Sequence, residues 1–459
     1  MSNRAATLLC LAALLVPQVA PAQSFDTAEV RLFEALHRQP NALARYVYLV
    51  KAMPRLSASD RVVAMQLFSS AECELGLYSQ AILSFPLKIR TPESIVLPTT
   101  AEWRIANAAD VIARLAADRR IVLINEAHHD AHTRELTLEL LPRLRALGFD
   151  YFAAEALVDT DPGLRKRGYP TRASGTEYLR EPVYGEIVRE AIRLGFTIVP
   201  YDVDSNVSTQ ARDTGQADNL YRKVFARDPH ARLFVQAGYA HIDKAAGRLG
   251  DVKPMAMRLQ ALTGFDPLSI DQTQFLETGK DHADDYRQLI DRFHPKAPAV
   301  LVDRTSGKAW SARPQLYDVN VILPPAVNLK AFGNETTLDV NAVENVEDPS
   351  RLALGSLTTL DRMQRPDWLT LQGARRQLPI SAALCRMQLP CVVEAQYADE
   401  SADATAADRY AFMKPDATSD LYLRPGHYRL RAWGISGKTL SQQSITIDGP
   451  RTGKSSAKR

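Results

Sequence analysis

Six short apolar runs recur between residues 120 and 302, and the stretches between them constrain the fold most. RIVLIN (120–125), YFAAEA (151–156), FTIVPYD (196–202), RLFVQAG (232–238), DPLSI (266–270) and APAVLV (297–302) read as buried strands. The intervening segments carry helical period. In AHTRELTLELLPRLRALG, Leu136, Leu140, Leu144 and Leu147 form one stripe. Asp130 is placed to cap its start and Gly148 its end, and Pro142 falls inside it, where a kink is expected. PVYGEIVREAIRLG, with Pro182 near its first turn, and segments around 207–226 and 252–262 supply further crossovers. Strand, helix and strand repeated in this way predict an α/β fold over 100–330: a central, mostly parallel sheet with helices on both faces.

The chain has 459 residues, more than one ordinary domain uses. Residues 23–95 read as a helical N-terminal region: AEVRLFEALHR, ALARYVYLVKAM and SDRVVAMQLFSSAECELGLYSQAILSF repeat apolar residues every three or four positions. After about 330 the helical period fades. Residues 331–369 read as a linker region and 370–450 as a small β-sandwich-like domain containing CVVEAQYA, SDLYLRP, HYRLRAWGI and QSITIDG. ADESADATAADR is expected to be a mobile loop within it, and RTGKSSAKR (451–459) a basic, disordered tail.

Residues 1–22 have the form of an export signal: Arg4, the apolar ATLLCLAALLV, then the small-residue VAPAQ. The expected location is periplasmic or secreted, where Cys385 and Cys391 can pair and Cys73 remains a buried free thiol. No stretch is long and apolar enough to predict a membrane span. A net charge of +3 argues against a nucleic-acid partner and a polybasic membrane surface. The expected partner is a small-molecule or peptide substrate.

In a parallel sheet the C-terminal strand ends lie along one edge, where sites form. The first run ends in Glu126, followed by His128 and His129. Glu155 closes the second, and Tyr201 and Asp202 the third, with Asp204 just beyond. Gly238 and Tyr239 end the fourth, followed by His241, and Asp303 ends the sixth. A charge at a buried strand end is unfavourable unless paired or metal-bound. Its recurrence on successive strands therefore points to a site. Glu126, His128, Glu155 and His241 are a candidate divalent-metal set for zinc, manganese or iron. The same groups can work without metal, a glutamate activating water and a histidine donating a proton. The zincin spacing HExxH is absent, because here the glutamate precedes the histidines.

NEAHHD, GFDYFAAEA, RDTGQADNL and VQAGYAHI together resemble the erythromycin esterase, ChaN-like and Tiki–TraB superfamily over roughly residues 118–300. The resemblance implies a functional set of Glu126, either His128 or His129, Glu155, Arg212 and His241. His129 fits the esterase spacing and His128 the haem-uptake spacing. Asn125 stands where that superfamily usually has glycine, and its bulk is expected to narrow the approach to the site.

The resemblance implies two activities. The first is an exported hydrolase of the erythromycin esterase-like type. In it Glu126 activates water, His129 or His128 assists, Glu155 and His241 complete the site and Arg212 steadies an oxyanion. Tiki-like members imply metal assistance. The second is a non-catalytic haem- or iron-binding uptake protein, with Asp202 and Tyr239 as substrate- or haem-binding residues. Beside these stands a third reading, an interaction scaffold whose site has lapsed.

Structural readings accompany each residue: a salt bridge for Glu126 and Glu155, an ion pair for Arg212, a strand terminator for Asp202, half-buried packing for Tyr239. His132 reads as a solvated first-turn histidine. The segment 157–181 is expected to lie over the strand edge as a lid. No phosphate loop, dinucleotide fingerprint or nucleophile elbow is present.

Overall fold

The computed structural model describes residues 27–87, 95–203, 207–278, 285–326 and 365–449. The export signal (1–22), Asp204, the linker up to residue 364 and the basic tail (451–459) lie outside the described residues.

Four helices open the described chain: α1 (Thr27–His37), α2 (Ala42–Ala52), α3 (Ala58–Glu74) and α4 (Tyr78–Ser84). The last apolar-periodic stretch is therefore two helices, split at Gly76. That residue holds φ +78°, and a β-carbon on it would stand 2.0 Å from the Arg409 carbonyl oxygen. Only glycine accepts both the left-handed backbone and that approach.

The central sheet contains β1 (Trp103–Asn107), β2 (Ile121–Glu126), β3 (Tyr151–Ala154), β4 (Thr197–Pro200), β5 (Leu233–Gly238), β6 (Leu268–Asp271), β7 (Ala299–Asp303) and β8 (Val319–Ile322). Their order is β1–β7–β8–β6–β2–β5–β3–β4. From β8 to β4 every pairing is parallel, and β7 runs antiparallel to both its neighbours. The mostly parallel sheet is as the sequence predicts, with one correction. Because β7 runs against the rest, Asp303 lies at the opposite edge from the candidate site. There it accepts backbone N–H bonds from Thr305 and Ser306 in a tight turn.

Helices α5 (Ala108–Ala116), α6 (Glu135–Ala146), the short α7 (Leu164–Arg167), α8 (Pro182–Arg193), α9 (Thr209–Leu220), α10 (Met255–Thr263) and α11 (Asp285–Phe293) complete the domain. Both faces of β2 are covered, since Val122 and Ile124 pack with Leu136, Leu140 and Ile187. Ile121 and Leu123 pack with Leu220 and Leu259 on the other side. Each such fully buried aliphatic side chain contributes about 1.5–3 kcal/mol. Helix α6 runs through Pro142. Asp130 caps the 3-10 turn Ala131–Arg134 that precedes α6, accepting from the His132 N–H at 3.0 Å.

The C-terminal strands are β9 (Arg376–Ser381), β10 (Cys391–Tyr397), β11 (Asp408–Phe412), β12 (Thr418–Leu423), β13 (Gly426–Gly434) and β14 (Thr439–Ile447). They form a four-stranded antiparallel sheet, β11–β10–β13–β14, and a β12–β9 pair. Cys385 and Cys391 are bridged, and Cys73 is free and buried. The β-domain does not stand apart from the N-terminal helices. Leu43, Tyr46 and Leu75 share one core with Val393, Phe412 and Leu430. The 398–409 segment, expected to be mobile, is docked. Glu400 accepts from Arg189 at 2.7 and 2.6 Å, and the Thr405 N–H bonds Pro170 O at 3.0 Å. Among the described residues no helix is long and apolar enough to cross a membrane.

Candidate active site

Parallel pairing brings the carboxylates and histidines together at one sheet edge. Glu126 is the last residue of β2, Glu155 follows β3 directly, Asp202 follows β4, and His241 sits in the 3-10 turn Tyr239–Ile242 after β5. Helix α9 adds Arg212 and its neighbour Asp213. All except Asp202 are buried.

One half of the site centres on Glu126. Its Oε1 faces His128 Nδ1 at 2.9 Å, and its Oε2 accepts from Arg134 Nε at 2.5 Å and from Gln236 Nε2 at 3.4 Å. Burial pushes the carboxyl up, but Arg134 and His128 pull harder, leaving it below the ordinary glutamate value. An ionised carboxylate only accepts, so His128 Nδ1 carries the proton and, in the neutral ring, Nε2 keeps its lone pair. Arg134 continues outward to Glu181 Oε2 at 3.0 Å and the His128 carbonyl at 3.4 Å. Glu181 also accepts the Tyr78 hydroxyl at 2.7 Å and caps α8.

The other half centres on Glu155. Its Oε1 accepts from Arg212 Nη2 at 2.5 Å and its Oε2 from the Gly238 N–H. Arg212 also donates to Asp202 at 3.1 and 2.7 Å. His241 Nδ1 faces Asp213 Oδ1 at 2.8 Å, and its Nε2 lies 3.8 Å from Glu155 Oε1. Burial raises the Glu155 carboxyl, but Arg212, His241 and His128 outweigh it and hold it at about 2. Burial disfavours a charged His241, yet Asp213 and Glu155 overcome that and raise its value. Glu155 and Arg212 thus pair opposite charges, with Asp213 holding His241 beside them, which is how charges persist in a dry site.

The halves meet over Gly238. A β-carbon there would stand 2.7 Å from His128 Cε1, 2.8 Å from His128 Nε2 and 3.1 Å from Glu155 Oε2. The glycine of VQAGYAHI is therefore a matter of space, because the His128 ring and Glu155 both press on its bare α-carbon.

The tandem histidines separate cleanly. His128 is in the cluster, stacked on Tyr178 of the 157–181 segment with ring centres 4.1 Å apart. His129 is turned away, stacked on Phe85 at 3.5 Å, with Nδ1 3.3 Å from the Tyr239 hydroxyl. Burial, then His128 and Arg134, lower the His129 value to about 3. Of the two histidines left open by the resemblance, His128 is the one that lies in the cluster with Glu126. Tyr239 adopts φ +44°, rare for a residue with a β-carbon, and orients His129 rather than His241. Asn125 does not narrow the approach. Its side chain points to the β6 loop, donating to the Tyr239 carbonyl at 2.7 Å and Asp271 at 2.8 Å. His132 is buried against Trp368 and bonds Glu135 at 3.1 Å. It is structural, not solvated.

Glu126, His128, Glu155 and His241 do not fit a metal. Guanidinium groups take an oxygen of each glutamate, and Asp213 holds one nitrogen of His241. Among the described residues no group of three or more His, Cys, Asp or Glu is placed to hold one. Haem fits poorly on the same edge, since reaching His129 or Tyr239 means parting rings already bonded or stacked together.

Arg134, Asp213, Tyr178 and Glu181 were not visible as site residues in the sequence. Asp213 adjoins Arg212, and Arg134 lies one turn past the histidines, but neither spacing signals a contact that folding alone creates.

Stability has a pH signature. Glu155 has a folded value near 2 against an ordinary 4.5. Its contribution is present above about 4.5 and is lost as pH falls toward 2. His241, raised above 6.5, loses its contribution as pH climbs through its folded value. Urea midpoints should fall between pH 4.5 and 2.5, and Glu155→Gln should flatten that decline. An unchanged slope in the variant would count against the ion-paired Glu155.

No protein-family model matches this chain, and no curated protein does. Among solved structures, the type III effector HopBA1 is similar at 16% identity over 34% of this chain and 81% of its own, with a TM-score of 0.25. A structure of bacterial protein toxins is similar at 15% identity over 54% of this chain and 45% of its own, with a TM-score of 0.26. The functional reading therefore rests on the site itself.

Proposed function

We propose that this chain is a hydrolase of the erythromycin esterase-like type, acting on an ester, lactone or amide. The observation that carries the reading is the Glu126–His128 pair, whose second ring nitrogen faces Glu155 and the bare Gly238. His128 Nε2 takes a proton from water as the water oxygen bonds to the carbonyl carbon. The oxyanion that forms meets Arg212, which comes from the other half of the site, beside His241. On collapse the carbon–oxygen or carbon–nitrogen bond breaks, and His128 returns its proton to the leaving group. Arg134 keeps Glu126 ionised, and Glu126 keeps His128 in the tautomer this requires. A periplasmic or secreted setting belongs to the same proposal, supported by the Cys385–Cys391 bridge.

The test is a panel of aryl esters, macrolactones and short amides offered to the mature protein and to Glu126→Gln. We expect turnover of at least one class, reduced by about 10²–10⁴ in the variant. Turnover that survives Glu126→Gln unchanged would remove the basis of the reading.

A further inference from the structure

A second concentration of charge lies where the N-terminal helices meet the β-domain. Arg45 of α2, Arg172 and Arg180 of the segment after β3, and Arg409 of β11 surround Glu74. Arg45 Nη2 is bonded to Glu74 Oε2. Arg409 reaches Glu74 Oε1 at 3.9 Å and Glu394 Oε2 at 3.5 Å, while Glu394 also holds Arg431 at 2.6 Å. Arg172 donates to the Pro40 carbonyl at 3.4 Å. Arg180 has no ion pair among the described residues. Its Nε and that of Arg409 are buried with no hydrogen-bond partner, a state that disfavours the fold unless something fills it.

The crowding is felt by the group itself. Burial, then Arg180, then Arg409 and Arg45, lower the Arg172 value. Burial would raise Glu74, but Arg45, Arg180 and Arg409 together bring it down. Glu74 and Glu394 thus meet Arg45, Arg409 and Arg431, with Arg172 and Arg180 beside them.

The cluster also adjoins the site. A small cavity of about 30 Å³ is lined by Arg45 and Glu74 at the cluster, by Leu49 and Leu67 along its wall, and by His128 and Tyr178 at the site.

We propose that Arg45, Arg172, Arg180 and Arg409 form an oxyanion-binding subsite, for a phosphate or a carboxylate, beside the cavity that His128 lines. Resting on the hydrolase reading, the substrate is then an ester or amide with an anionic end. Guanidinium forks suit both oxyanions, and an excess of positive charge without a partner calls for one.

The test is calorimetric titration of the mature protein with inorganic phosphate and with succinate, against sodium chloride of equal ionic strength. We expect saturable binding of at least one, weakened about tenfold or more in Arg172→Ala/Arg180→Ala and retained in Glu126→Gln. Binding of phosphate alone marks a phosphorylated substrate, and of succinate alone a carboxylate. No saturable binding of either, or equal binding by the double arginine variant, overturns the subsite. Retained binding in Glu126→Gln with no ester turned over by wild type leaves the subsite standing and removes the hydrolase reading.

Discussion

His128→Ala is expected to lower kcat/KM for ester hydrolysis by about 10²–10⁴, whereas His129→Ala should leave it within about threefold. The two histidines are adjacent, both buried and both near Tyr239, so bulk and location do not distinguish them. Partners do. His128 has one nitrogen on the ionised Glu126 and the other against Glu155 and Gly238. The first contact fixes the tautomer and the second puts a lone pair where the two halves of the site converge. His129 spends its Nδ1 on the Tyr239 hydroxyl and one ring face on Phe85. Its value near 3 also leaves it neutral and a weak proton acceptor near pH 7. Losing it removes a ring stack, a stability effect that a urea titration would register without a matching fall in kcat. Parallel pH–rate profiles in the two variants give the discriminating reading. If His129→Ala abolishes turnover while His128→Ala does not, the orientation argued for Glu126 is wrong.

The sheet was legible in the sequence because its central strands are covered on both faces. IVLIN and LFVQAG have no polar side to hide them, so their apolar runs stand out. β1 was not, because an edge strand with two exposed residues, WRIAN, carries no continuous run. β8 is fully buried, but Asn320 interrupts its apolar run, VNVI.

The site was half legible for a related reason. Glu126, Glu155 and His241 are fixed by strand ends, so chain position alone brought them to one edge. The choice between His128 and His129 depends on a turn that one residue of register reverses. Asp303 went wrong because a run of apolar residues reveals a strand without revealing its direction. Of the covering elements only the 157–181 segment, which carries Tyr178, was expected over the strand edge. Tyr178, Phe85 and Trp368 come from three distant parts of the chain, and only the shared core of the N-terminal helices and β-domain brings them to the histidines.

Arg134 is the residue on which that assembly depends, and Arg134→Met should lower stability by about 3–5 kcal/mol. Its side chain is 1% exposed and spans two buried carboxylates, with Glu126 at 2.5 Å and Glu181 at 3.0 Å. Its guanidinium lies 5.0 Å from the Tyr184 ring centre, and its Nη1 3.8 Å from Cys73 Sγ. Methionine replaces most of the volume, so the loss is electrostatic rather than a cavity. Two carboxylates remain in a dry interior, and each must be protonated or carry an uncompensated charge. Glu181 has other donors in the Tyr78 hydroxyl and the α8 N–H groups, so most of the penalty falls on Glu126. Adding Glu126→Gln should therefore recover part of the lost stability, the non-additivity expected of two residues in contact. Arg38→Met, at an arginine with a 70% exposed side chain, sets the baseline for losing a guanidinium in water. Urea midpoints for the four proteins decide the matter. If Arg134→Met is no less stable than Arg38→Met, the arginine bridge is not what holds Glu126 in its charged state, and His128 must owe its orientation to packing against Tyr178 instead.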